Sequence, residues 1–180
     1  TIGLLLFSML LPLHGQQHDS LLLQKEMAPK NEKIKLLHEL VLANWLNYPQ
    51  KAQEYAKESI DLSLELVDST NISKSLRLMA GVYYYKGEFE MALNFNRQAL
   101  AIALELQNDE LINNCYNNIG LLYYTLGSYP QALEYLLLSI EIKDRIGAVY
   151  GKSTSLTNVG LIYEKKQQYD EARAYFTQAL

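Results

Sequence analysis

Cysteine occurs once, at Cys115, so no intramolecular disulfide can staple the fold and no second thiol is available to build a metal cluster. Histidine is almost as scarce: His14 and His18 lie in or beside an apolar leader, which leaves His38 alone in the body of the chain. No His pair, P-loop or Gly-rich phosphate turn is present. Carboxylate pairs such as Glu88 with Glu90, or Asp170 with Glu171, fall at turns and helix starts, where negative charge favours the helix dipole. The 16 basic residues form no dense run and the formal charge is −4, so the chain offers no electrostatic footprint for nucleic acid or an anionic membrane. These absences point away from catalysis, metal or cofactor binding and nucleic-acid recognition in this segment. With only four prolines, 49% apolar and 20% charged residues, the composition is that of a globular or repeat protein rather than a disordered one.

Long hydrophobic runs are also missing, with one exception. Ile2 to Leu13 is apolar on all sides, too short for a span of about 20 residues but the right length for the core of a secretory signal ending near Pro12 and Gly15. Cleavage before Gln16 is the expectation; the rival is a buried N-terminal helix. Residues 16–30 read as a polar leader with an apolar knot at Leu21, Leu22 and Leu23. Cys115 reads as a packing residue, and an exported chain without disulfides fits a periplasmic compartment.

What the chain does have is a register. Ala52, Ala92, Ala132 and Ala172 recur at a step of 40, and the positions three further on are Tyr55, Phe95, Tyr135 and Tyr175. Tyr83, Tyr123 and Tyr163 precede the last three alanines by nine, and Phe89, Tyr129 and Tyr169 by three. Within one copy, Ile119, Gly120 and Tyr123 share a helical face, Gly127 breaks it, and Ala132, Tyr135, Leu136 and Ser139 resume it. Gly127 suits the positive φ that ends a helix, and Pro130 suits the first turn of the next. The spacing predicts helix pairs over about 31–46, 50–67, 72–86, 89–106, 110–126, 130–146, 151–166 and 169 onward, with no competing strand. Turns are expected at Asp68 to Asn71, Gln107 to Asp109 and Gly147 to Gly151. One such pair cannot hide its apolar stripe, so the copies must stack.

The pattern resembles the tetratricopeptide repeat family. The resemblance is carried by Leu76, Met79-Ala80, Tyr83, Gly87, Phe89, Ala92 and Ala99. It recurs as Tyr116, Ile119-Gly120, Tyr123, Gly127, Tyr129, Ala132 and Ser139, and again as Leu156, Val159-Gly160, Tyr163, Gln167, Tyr169, Ala172 and Ala179. A first copy on Leu36, Ala43, Ala52 and Ser59 is degenerate, with Glu39-Leu40 and Pro49 at motif positions, as suits an end unit. The resemblance covers about residues 33–180 and implies an all-α fold, an α-solenoid of stacked helix-turn-helix units in a right-handed superhelix. Four repeats follow, at about 31–68, 69–108, 109–148 and 149–180. Family units are typically about 34 residues, so a step of 40 is similar to the longer units of bacterial regulators and kinesin light chains. Gly120 and Gly160 are expected where helices approach closely.

The family's concave groove, projected onto this chain, implies Lys74, Arg77, Asn114, Asn117, Tyr124, Thr157, Glu164 and Lys165 as lining residues, with Asn118 and Asn158 one position along. Tyr84 and Tyr124, each one residue after a packing tyrosine, are expected to be exposed there. Asparagine amides donate and accept together, so Asn117, Asn118 and Asn158 either hold the main chain of an extended peptide or bond between helices. Lys74 and Arg77 either meet a ligand carboxylate or form a solvated surface pair. The expected function is non-catalytic capture of a peptide or protein segment, as the exported input region of a larger bacterial signalling protein. A membrane span and effector would then lie beyond Leu180, where the last helix stops short of its predecessors. The alternative is a freestanding periplasmic or secreted scaffold, and packing between protomers is a third use of the groove.

Overall fold

The computed structural model describes residues 20–147 and 152–180. The apolar run from Ile2 to Leu13 and residues 148–151 of the turn expected at Gly147 to Gly151 lie outside them. Every regular element among the described residues is helical. In chain order these are a segment over residues 20–27, within the polar leader, then α1 (Lys30–Asn44), α2 (Pro49–Glu65), α3 (Ser69–Tyr85), α4 (Phe89–Glu105), α5 (Asp109–Thr125), α6 (Tyr129–Arg145), α7 (Lys152–Lys165) and α8 (Tyr169–Ala179). Helix starts recur at steps of 40: Pro49, Phe89, Tyr129 and Tyr169 in one series, Ser69 and Asp109 in the other.

Local chemistry sets the boundaries. Asp68 Oδ1 accepts from the Asn71 backbone N–H at 3.0 Å, and Asn108 Oδ1 from that of Leu111 at 3.1 Å. Each satisfies a donor that the first helical turn leaves open. These polar clusters therefore start α3 and α5 rather than merely separating units, and α3 begins three residues earlier than its periodicity suggests. Four helix ends share one device. Residues 67, 107, 127 and 167 have φ of 53°, 51°, 73° and 60°. The following N–H reaches back five residues in each case: Asp68 to Ser63, Asn108 to Ala103, Ser128 to Tyr123 and Gln168 to Tyr163, at 2.9–3.1 Å. This is the Schellman arrangement. Only the third of these positions is glycine; the others are Val67, Gln107 and Gln167.

The chain divides into two compact units, the first ending at Lys86 and the second beginning at Gly87. In the first, α1 packs on α2, α2 on α3, and α1 also reaches α3. Its core is Ile34, Leu37, Leu40 and Val41 of α1, Ala52 and Ala56 of α2, and Leu76, Met79, Ala80 and Val82 of α3. A Cβ on Gly81 would come within 2.9 Å of the Trp45 ring, so glycine lets α3 accept that indole. Segment 20–27 is tied to α2 through Lys25, which bonds Glu58 at 3.0 Å and lies 5.7 Å from the Tyr55 ring centre.

In the second unit α4 to α8 pack in sequence order, and α5 also reaches α7. One cluster gathers Ala103, Leu111, Ile112 and Ile142; the other gathers Ala132, Leu136, Val159 and Ile162 beneath the tyrosines. The repeat register becomes physical here. Tyr123 stacks on Tyr135 with ring centres 5.7 Å apart, and forty residues on Tyr163 stacks on Tyr175 at 5.3 Å. A Cβ on Gly120 would sit 2.7 Å from Leu136 Cγ, and one on Gly160 2.5 Å from the Phe176 ring. Both glycines stand where α5 meets α6 and α7 meets α8, as expected. Cys115 is buried.

Candidate functional site

The expected groove residues fall on three helices, in two groups that belong to different units. In the first unit, α3 carries Lys74, Arg77 and Tyr84, all half-buried. Across from α3, on α1, His38 Nε2 lies 2.8 Å from the hydroxyl of Ser75. Burial, and after it the charges of Lys74 and Arg77, pull the His38 pKa down to about 4. The imidazole is therefore neutral at ordinary pH, because a third positive charge beside two others in a partly dry site costs too much. Lys74 and Arg77 thus both act on His38, a residue the groove pattern did not include. A signal existed: stepping by 40 from Asn158 and Asn118 reaches Leu78 and then His38.

In the second unit, α5 carries Asn114, Asn117, Asn118 and Tyr124, and α7 carries Thr157, Asn158, Glu164 and Lys165. The three asparagines of α5, with Thr157 and Asn158, are half-buried, whereas Glu164 and Lys165 are exposed at the end of α7. These two helices touch, and their polar side chains are not equivalent. Thr157 donates its hydroxyl to the Ser153 carbonyl one turn back in its own helix, at 2.8 Å. Asn117 Oδ1 meets Ser155 Oγ of α7 at 3.1 Å; that serine lies 2.8 Å from Ser139 Oγ of α6, which in turn contacts Asn113 Oδ1 of α5 at 2.8 Å. Asn117 is therefore bonded between helices as well as edging the surface. Sequence reasoning missed Asn113, Ser139 and Ser155. The available clue was Ser139, which stands where the neighbouring copies have Ala99 and Ala179.

The expected exposure of Tyr84 and Tyr124 is corrected. Both are half-buried: Tyr84 meets Tyr85 edge-on at 5.5 Å, and Tyr124 packs 6.0 Å from Tyr129, against the Ala132 and Leu136 cluster. One residue along a helix turns the side chain by about 100°, and for Tyr124 that leaves the ring under the aromatic that opens the next helix. Tyr169, a motif position, is 66% exposed. Among the described residues, no group of three or more His, Cys, Asp or Glu side chains is placed to hold a metal ion. No helix there is long and apolar enough to cross a membrane.

Comparison with known proteins agrees with this architecture. Two tetratricopeptide repeat family models match, one over residues 75–110 and the other over residues 111–180. No curated protein sequence matches the chain significantly. Among solved structures, aspartyl phosphate phosphatase F from Bacillus subtilis is similar at 16% identity, with a TM-score of 0.77, over 84% of this chain and 40% of its own. A Rap protein complexed with Competence and Sporulation Factor is similar at 21% identity and a TM-score of 0.78, over 84% of this chain and 43% of its own. A signal transduction ATPase with numerous domains and a tetratricopeptide repeat sensor, from Pyrococcus horikoshii, aligns at 18% identity and a TM-score of 0.77, over 99% of this chain and 28% of its own. The chain thus spans less than half the length of each of these proteins.

Proposed function

This chain belongs to the tetratricopeptide repeat family, and from that premise we propose that it captures an extended peptide or protein segment along the polar surface of α5 and α7. The segment itself is non-enzymatic, as a repeat scaffold is. The observation that carries the reading is the run of half-buried amides Asn114, Asn117, Asn118 and Asn158 on two touching helices. An extended main chain alternates N–H and C=O, and an amide side chain can meet either. Partial burial strengthens such bonds by excluding water without sealing the amides from a ligand. In the first unit the positive charge of Lys74 is complementary to an acidic side chain or terminal carboxylate.

The proposal extends to context. The chain is exported, on the strength of the Ile2 to Leu13 run, and serves as the input region of a larger signalling protein with its effector beyond Leu180. Two similar structures support the input role by their own descriptions: one is complexed with Competence and Sporulation Factor, and another is a signal transduction ATPase with a tetratricopeptide repeat sensor.

The experiment is selection of a random displayed peptide library on the chain, followed by affinity measurement on the enriched peptides. Asn158→Ala and Asn118→Ala are each expected to weaken binding about 5- to 10-fold, the equivalent of one hydrogen bond of about 1 kcal/mol, with unchanged helicity and melting temperature. Failure to enrich any peptide, or binding indifferent to both substitutions, overturns the reading.

A further inference from the structure

We propose that Ser139 and Ser155 are positioning residues for Asn117: through a buried hydrogen-bond chain that can run in either direction, they hold its amide so that it meets a bound main chain with either its oxygen or its nitrogen. The inference rests on the peptide-binding reading above.

The argument is a count of protons. Three oxygen–oxygen contacts join four side chains from three helices: Asn113 Oδ1 to Ser139 Oγ at 2.8 Å, Ser139 Oγ to Ser155 Oγ at 2.8 Å, and Ser155 Oγ to Asn117 Oδ1 at 3.1 Å. With both amides turned carbonyl-inward, the hydrogens between them are those of the two hydroxyls, one each. Three contacts then have two protons. Burial of Ser139, Ser155 and Asn113, at 0%, 1% and 4% exposure, keeps bulk water from making up the difference. Turning either terminal amide by 180°, which exchanges isosteric oxygen and nitrogen, supplies the missing N–H.

Two complete chains result. If Asn117 turns, donation runs Asn117 to Ser155 to Ser139 to Asn113, and Asn117 shows its oxygen to the surface. If Asn113 turns, donation runs the opposite way, and Asn117 shows its amino group. Both satisfy all three contacts, so a ligand carbonyl or a ligand N–H at Asn117 selects the direction and neither leaves a buried group without a proton. The serines make this contact adaptable while keeping the amide in place. Of the residues equivalent to Ser139, Ala99 and Ala179 have no hydroxyl, and Ser59 gives its own to the Ala56 carbonyl of the same helix at 2.9 Å.

The test uses the whole chain with 15N-labelled asparagine and, as probe, the peptides selected from the random library. Without peptide, the Asn117 side-chain amide is expected to be rigid on the nanosecond scale, and Ser155→Ala to bring its order parameter down to that of Asn118. An Asn117 amide as mobile as Asn118 in the unaltered chain overturns the inference. With peptide, Ser155→Ala is expected to weaken binding 5- to 10-fold in the Asn117 background and less than 2-fold in the Asn117→Ala background, with Ser139→Ala following the same pattern at a smaller loss. Equal losses in both backgrounds would make the serines merely structural and overturn it as well. Dependence on Asn158 without this coupling sinks the inference alone. Failure to select any peptide sinks the reading beneath it, and the order parameters then decide whether the hydrogen-bond chain exists.

Discussion

His38 shows how one residue can tie stability to pH in a protein with little titrating chemistry. Its ring is held neutral by burial and by Lys74 and Arg77, with a pKa of about 4 against an ordinary value of 6.5. Between those values the unfolded chain binds a proton that the folded chain refuses, so stability falls as pH drops from about 6.5 to about 4 and is unaffected above that window. The full loss is on the order of 3 kcal/mol. Melting curves of the unaltered chain and of His38→Gln, compared from pH 7 to pH 4.5, are expected to diverge in slope, with the glutamine variant less sensitive to acid. Parallel curves would show that His38 titrates normally. The same residue illustrates what a pattern overlooks. A groove projected from motif positions finds Lys74 and Arg77, but the histidine that senses them comes from a different helix and a degenerate repeat.

At the scale of the element, the helix ends repeat a single geometry on unequal residues. Gly127 takes its positive φ at no steric cost, whereas Val67 takes φ of 53° with a β-branched side chain that is 82% exposed. The left-handed region crowds a Cβ against the backbone by about 1–2 kcal/mol, and an exposed valine recovers little of that by burial. Val67→Gly is therefore expected to raise the stability of the first unit by about 1 kcal/mol, after the greater chain entropy of unfolded glycine is subtracted. Chemical denaturation at constant slope would show the gain as a higher midpoint; a lower midpoint would mean that Val67 packs in a way its exposure conceals. Helix starts, Gly127 and the close approach at Gly120 were legible in the sequence, because caps, turns and small residues act through their own backbone or the next helix. The first turn of α3 was not, since its apolar periodicity begins only after the residues that Asp68 caps.

On the scale of the whole molecule, the family and the packing of helices within each unit are established, and the export proposal turns on residues 1–19, outside the described structure. If Ile2 to Leu13 is a secretory signal, the tagged full-length protein is expected to accumulate outside the cytoplasm with a new N-terminus at Gln16. A product found there that retains Leu4 to Leu10 would reject cleavage, and retention in the cytoplasm would reject export.

The sequence by itself determined the repeat: which residues recur at each step of 40, where most helices begin and turn, and which positions must be small. Those features are short-range, written in side-chain volume, backbone freedom and a 3.6-residue period, and they survive in any stack of such units. Only the tertiary structure decided which polar side chains close on one another. Asn117 and Asn118 are adjacent, chemically identical and both half-buried, yet it is Asn117 that lies 3.1 Å from Ser155. Tyr124 is half-buried against Tyr129 while Tyr169 is largely exposed, although both are aromatic residues near helix ends. A hydrogen bond or a ring contact depends on what a neighbouring helix places within a few ångströms, and no spacing along one helix contains that distance.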